Sequence, residues 1–313
     1  MSWDCIMGSL NMIKRDGSLT SMIIEKRYKV GEATLNYAEG VKAGPPLVLT
    51  HGLTDRWQYY LPIIPFLTMR WHVYALDFRG HGRSSRTPPY NYHNHIDDTI
   101  AFIEGCVKAP CVIFGSSMGG MVALMVAARR PELVKAVIFG DSSIKTDRTQ
   151  AVMRDYHSYW NGWKKLAESQ GPFDEFVRRV SDMPVNVPGQ NKKTYGEGLD
   201  IIALMNKANY LRFLDPEVLT DWVAGGEDQE AFKRVTDGYD HERLIDIQCP
   251  VLLIQGNPKK GGIFTDEAVE YATAKIENSY HVYIEEYDHN LGLYNWDTGK
   301  LLQAISVFLE AQL

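Results

Sequence analysis

At 313 residues, 45% hydrophobic and 23% charged, the chain suits one large α/β domain with an insertion, or two domains, and is too apolar for a disordered one. A net charge of −6 without any block of like charges leaves no footprint for nucleic acid; Lys14-Arg15 and Arg129-Arg130 are short surface pairs. No apolar run is long enough to span a membrane, the start (with Asp4) lacks signal-peptide character, and Cys5, Cys106, Cys111 and Cys249 lack C-x-x-C or metal spacing, so the expectation is a cytoplasmic protein with reduced thiols and no membrane partner.

Residues 1 to 20 are mixed in character and fit an arm or tail. Ile23 to Val30 and Ala33 to Ala38 alternate apolar and polar residues around Gly31-Glu32, the pattern of an antiparallel pair at a sheet edge. Gly44-Pro45-Pro46 breaks the chain. Leu47 to Thr50 then forms a short buried strand that runs into His51-Gly52-Leu53. Trp57 to Leu67 has a helical pattern interrupted by Pro62 and Pro65. Trp71 to Leu76 is the next strand, followed by the run from Asp77 to Ser84, and Asn94 to Val107 is a helix. The strand Cys111 to Phe114 leads into Gly115-Ser116-Ser117-Met118-Gly119, with a helix over Met118 to Arg129. Val134 to Phe139 is a further strand, ending at Gly140-Asp141-Ser142.

From Ile144 to Asp246 the buried-strand runs vanish. Val152, Tyr156, Tyr159, Trp160 and Trp163 recur at helical spacing, as do Phe173, Phe176, Val177 and Val180; helices are also expected over Leu199 to Ala208 and Pro216 to Val223. About two-thirds of these aromatic and apolar side chains are read as helix-to-helix core and the rest as pocket lining. The sheet pattern resumes at Pro250 to Gln255. Thr265 caps a helix running to Ala274, with Asp266 and Glu267 in its first turn, where the helix dipole favours negative charge. His281 to Ile284 is the last strand, Asp288-His289-Asn290 follows it, and Leu301, Leu302, Ile305, Phe308 and Leu309 line one face of a closing helix.

Alternating strands and helices imply a parallel sheet with its chemistry at the carboxyl ends of the strands, where Leu53, Ser117 and Asp141 all fall. A G-x-S-x-G sequence between strand and helix makes a nucleophile elbow. The serine occupies a cramped turn, Gly115 and Gly119 remove side chains that would collide, and the N–H of Met118 faces any oxyanion formed at Ser117. By itself the pattern also arises as a chance turn.

His51-Gly52, the Asp77 to Ser84 run, Gly115 to Gly120 and His289, in this order, resemble the α/β-hydrolase superfamily. The resemblance covers about residues 25 to 145 and 247 to 313. It implies a mostly parallel sheet flanked by helices, with residues 1-143 and 247-313 as the core and 144-246 as an inserted helical cap, or lid. It implies Ser117 as nucleophile, His289 as the histidine, the backbone N–H groups of Leu53 and Met118 as oxyanion hole, and no cofactor or metal. The sequence departs from the family at the acid. The usual position lies just beyond Gly256, where Asn257-Pro258-Lys259-Lys260-Gly261-Gly262 holds no carboxylate. Some members place the acid after the strand that follows the elbow helix, which here is Asp141. Asp266 is the second candidate, and a dyad without an acid the third. Asp288 is too close in sequence to orient its neighbour.

His51 is expected to brace the oxyanion turn and His81 belongs to the Arg79 to Ser84 loop, while His72, His93, His95, His157, His241 and His281 carry no motif. The resemblance implies a small-molecule substrate. A serine nucleophile points to hydrolysis of a carboxylic ester or lactone of small to medium, apolar character, and a relocated acid is similar to that of lactonase-like members. A carbon–carbon bond hydrolase of diketo acids would use the same triad and need a cation such as Arg178, Arg179 or Arg212. A non-enzymatic receptor for a small ligand is the remaining alternative. Oligomeric state stays open, a homodimer among the options.

Overall fold

A computed structural model describes residues 11–13, 19–21, 23–169, 171–185 and 193–312. The apolar runs assemble into one sheet of eight strands: β1 (Ile23–Val30), β2 (Ala33–Gly40), β3 (Pro46–Thr50), β4 (His72–Leu76), β5 (Cys111–Ser116), β6 (Val134–Gly140), β7 (Val251–Gly256) and β8 (Ser279–Ile284). Their spatial order is β8-β7-β6-β5-β3-β4-β2-β1. β2 pairs antiparallel with both β1 and β4, and every other pair is parallel. The central strands β5 and β7 are buried at every position, as a strand covered on both faces must be, whereas β8 lies at the edge and is half exposed.

One face of the sheet packs on α1 (Tyr92–Phe102) and α2 (Met118–Arg129), through residues such as Ile96, Phe102, Met121 and Val122. In α2 every residue but Arg129 is buried. Asn91 caps α1 by accepting from Asn94 N–H, and the helix runs on into a π-helical turn, Ile103–Val107, that ends where Lys108 adopts φ 57°. The other face carries Trp57, Tyr60, Ile64 and Leu67 together with Leu301, Ile305 and Phe308 of the closing helix Gly299–Gln312. The expected helix over Trp57 to Leu67 is instead two separate turns, Trp57–Tyr60 and Ile64–Leu67. Pro62 and Pro65 lack the N–H groups that a continuous helix would need.

Between β6 and β7 lie α3 (Thr146–Asp155), α4 (His157–Glu168), α5 (Phe173–Ser181), α6 (Ile201–Arg212), α7 (Thr220–Ala224) and α8 (Gln229–Thr236), none of which contributes to the sheet. Trp163, Phe176 and Val180 are fully buried in the same apolar cluster as the α1–α2 face. α6 is capped by Asp200, and the Pro216 to Val223 pattern is a 3-10 turn, Pro216–Leu219, running into α7. Thr265 caps α9 (Asp266–Lys275) as its hydroxyl predicts, accepting from Ala268 N–H. Near the N-terminus, Asn11–Ile13 pairs antiparallel with Leu19–Ser21, so part of the expected arm or tail is paired strand. Cys5, Lys14 and Arg15 lie outside the described residues. No helix among the described residues is long and apolar enough to cross a membrane.

Candidate active site

The carboxyl ends of β3, β5 and β6 and the loop after β8 bring Leu53, Ser117, Asp141 and His289 to one edge of the sheet. Ser117 sits at φ 53°, ψ −123°, directly between β5 and α2. A non-glycine residue is seldom found there, so the turn has to be held from outside. Ser117 N–H donates to Gly140 O at 2.8 Å, and its own carbonyl accepts from Gly120 N–H at 2.9 Å. A Cβ on Gly115 would lie 2.2 Å from Gly119 O, and one on Gly119 2.0 Å from Thr50 O. Only glycine at both positions lets the elbow close against β3.

The turn after β3 is braced from below. His51 Nδ1 donates to Gly52 O at 2.8 Å and Nε2 accepts from Phe78 N–H at 3.1 Å, which assigns the tautomer. Burial pushes the His51 imidazole down to about 3, aided by Arg56 and Lys207 and opposed by the Gly52 bond, so it stays neutral. A Cβ on Gly52 would come within 3.2 Å of both Ser117 Cβ and an Asp55 carboxylate oxygen. The turn therefore lies directly against the serine.

Asp141 is fully buried, at φ 28°, and its Oδ2 lies 2.7 Å from His289 Nδ1. Oδ2 also accepts from Ile263 N–H at 2.8 Å, and Oδ1 from Gly256 N–H at 3.0 Å and Phe264 N–H at 3.3 Å. The residues on either side of the carboxylate-free segment 257–262 thus supply backbone donors to a carboxylate from the neighbouring strand. Asp266 Oδ1 is taken by Gln255 Nε2 at 2.7 Å, at the start of α9, and Asp288 accepts from Asn290 N–H at 2.9 Å. Burial alone would lower the His289 pKa. The bond and charge of Asp141, with Asp288 and Asp55 behind it, more than compensate and raise it above the usual 6.5.

Ser117, His289, Leu53 and Met118 line one cavity of about 350 Å³, within the range of small-molecule sites. Its walls include Tyr92, Met121, Val152, Tyr156, Trp160 and Trp222. Of the aromatic stripe on α4, Tyr159 and Trp160 therefore face the cavity, while Trp163 is core. The three arginines considered as carboxylate holders are elsewhere: Arg178 lies by Asp174 and is 71% exposed, Arg179 bonds Ser169, and Arg212 stacks on Phe173. Among the described residues, the cations that reach the cavity are the exposed Lys193 and Lys260 and the buried Lys207 of α6. Periodicity gives no sign of Lys207, because the position is only one more polar residue on a helix. Tyr59 was equally hidden: its hydroxyl donates to Asn290 O at 3.1 Å and meets Ser116 Oγ at 3.2 Å, tying the histidine loop to the elbow. Among the described residues no group of three or more His, Cys, Asp or Glu could hold a metal ion.

A sheet of this order with a serine elbow between its fifth strand and the following helix defines the hydrolase class. A model of the alpha/beta hydrolase fold matches residues 45–295, and the chain belongs to that family. Curated relatives include 2-(acetamidomethylene)succinate hydrolase of Mesorhizobium japonicum, 30% identical over 132 residues, 41% of this chain and 47% of that protein. Lipase LipV of Mycobacterium tuberculosis is 34% identical over 112 residues, 34% of this chain and 40% of that protein. The chain thus matches less than half the length of these two relatives. The solved structure of an E-2-(acetamidomethylene)succinate hydrolase has the same fold, with a TM-score of 0.67 at 19% identity over 91% of this chain and 97% of that one.

Proposed function

We propose that the chain is a serine hydrolase that cleaves a carboxylic ester or lactone through an acyl-enzyme. The observation that carries this reading is the 2.7 Å approach of Asp141 to His289 Nδ1, with His289 and Ser117 lining the same cavity. With its Nδ1 proton directed at Asp141, His289 presents Nε2 as a base. As Ser117 Oγ bonds to the substrate carbonyl carbon, its proton passes to Nε2. The carbonyl electrons collect on an oxygen that the N–H groups of Leu53 and Met118 stabilise. Collapse breaks the carbon–oxygen bond to the leaving alkoxide, which takes the proton from Nε2. Water repeats the sequence on the acyl-enzyme and frees Ser117.

Helices α3 to α8 act as a lid over the sheet edge in this reading, and the aromatic walls suit a bulky, uncharged acyl group. Two features weigh against diketo acids: the three arginines lie outside the cavity, and the N–H donors of Lys207, the buried one of the three lysines that line it, are all engaged by protein acceptors. Intact mass after fluorophosphonate treatment tests the proposal without a guess at the substrate. One adduct is expected on the native protein and none on Ser117→Ala. A folded native protein that takes no adduct would sink the enzyme reading in favour of a ligand receptor.

A further inference from the structure

Lys207 belongs to α6, in the helical segment between β6 and β7, yet its side chain is only 4% exposed. Its Nζ reaches Thr54 Oγ1 at 2.5 Å, Tyr294 OH at 3.1 Å and Asp55 Oδ1 at 3.2 Å. Tyr294 in turn donates its hydroxyl proton to Asp55 Oδ1. An ammonium has three N–H donors, and these three acceptors use all of them. A substrate carboxylate would find no free donor there, and Asp55 would repel it.

The partners of Lys207 are informative. Thr54 directly follows Leu53, and Asp55 closes the same turn through its N–H to Gly52 O at 3.2 Å. Thr54 has φ 69°, the left-handed region that β-branched residues rarely adopt. A strained turn left to itself relaxes, and relaxation here would swing the Leu53 N–H away from the serine. Tyr294 lies five residues beyond His289, so the same ammonium touches the histidine's loop as well.

We infer that Lys207 is a positioning residue that couples seating of α6 to assembly of the oxyanion hole. With α6 in place, its ammonium holds Thr54 and Asp55 and keeps the Leu53 N–H aimed at the acyl oxygen. With α6 lifted, the turn loses its outside restraint, and the serine faces a carbonyl that nothing polarises. Turnover is thereby confined to the state in which the helices close over the substrate. The inference rests on the hydrolase reading above, since it assigns a role within that reaction.

The test uses the full chain, with Lys207→Met and Thr54→Val. The valine keeps the β-branch and leaves the Lys207–Asp55 pair intact, removing only the bond to the turn. Steady-state hydrolysis of a p-nitrophenyl ester is measured with inhibition by a trifluoromethyl ketone, which forms an oxyanion on the serine, and by the matching methyl ketone, which largely does not. Both variants should lose tenfold or more in kcat with KM within twofold. The trifluoromethyl ketone should weaken by the same factor as kcat/KM, while the methyl ketone should be unaffected. A raised KM with kcat intact would mean that Lys207 holds the substrate, and equal weakening of both ketones would mean that it merely shapes the cavity. Either result overturns the inference, as does native kcat in both variants. If Lys207→Met fails to fold, Thr54→Val decides alone. A native protein that neither turns over esters nor takes a fluorophosphonate would overturn the hydrolase reading itself, and this inference with it.

Discussion

His289 and Asp141 stand 148 positions apart in sequence and 2.7 Å apart in space, joined Nδ1 to Oδ2. Removing the negative charge while keeping the shape should disrupt the imidazole's tautomer. Asp141→Asn is expected to lower kcat for an ester substrate by about 10⁴, the scale seen when a triad aspartate is amidated elsewhere. Asp266→Asn should stay near the native rate, because that carboxylate serves Gln255. A near-native rate in Asp141→Asn, with the loss in Asp266→Asn instead, would reverse the assignment.

The raised pKa of His289 sets the pH dependence. The base must be neutral to accept a proton, so the acid limb of kcat/KM should fall above the ordinary value of 6.5. In Asp141→Asn the limb of the residual activity should move down. For stability the sign is opposite to that for activity. A histidine whose pKa is higher folded than unfolded stabilises fully below 6.5, and the contribution is lost as pH rises through the folded value. Urea melts of native protein and His289→Gln across that interval should converge toward high pH.

Gly119→Ala places a Cβ 2.0 Å from the Thr50 carbonyl oxygen, and both partners are backbone. β3 and α2 would have to part at the elbow. A loss of about 3 kcal/mol or more in unfolding free energy is expected, with activity falling in step. A urea midpoint within error of native would show that the elbow tolerates a side chain.

Trp163 on α4 and Tyr156, which immediately precedes that helix, should answer differently to alanine. Trp163 is fully buried in the main core, so its loss should cost about 3–5 kcal/mol. Tyr156, half buried at the cavity wall, should cost under about 1 kcal/mol and show itself in KM. Equilibrium unfolding paired with steady-state kinetics on both variants separates the two kinds of position.

Arg212→Ala should leave KM unchanged for acidic and neutral substrates alike, since its guanidinium covers the Phe173 ring outside the cavity. A selective rise in KM for an acidic substrate would revive the diketo-acid reading.

The alternation of buried strands and helices was legible from local pattern alone, because burial on both faces imposes apolar runs. Strands β3 to β7 fall within a residue or two of the apolar runs, and the β1–β2 hairpin turns at Gly31-Glu32 as its alternation implies. The serine elbow was legible too, since its cramped turn demands glycines at fixed offsets. Failures came where local signals compete. The two prolines split the Trp57 to Leu67 helix, and the edge strand β8 begins earlier than its apolar half because one face meets solvent. Sequence also favoured Asp141 as the acid over Asp266 and over a dyad without one, although both residues are carboxylates beside a strand or helix end. Tertiary structure decides which one faces His289, because the choice depends on where β6, β7 and the Ile263 N–H converge. The same holds for Lys207. A lysine on a helix has no local mark of being buried, and only the packing of α6 over the turn after β3 turns it from a solvated charge into a buried partner of Thr54 and Asp55.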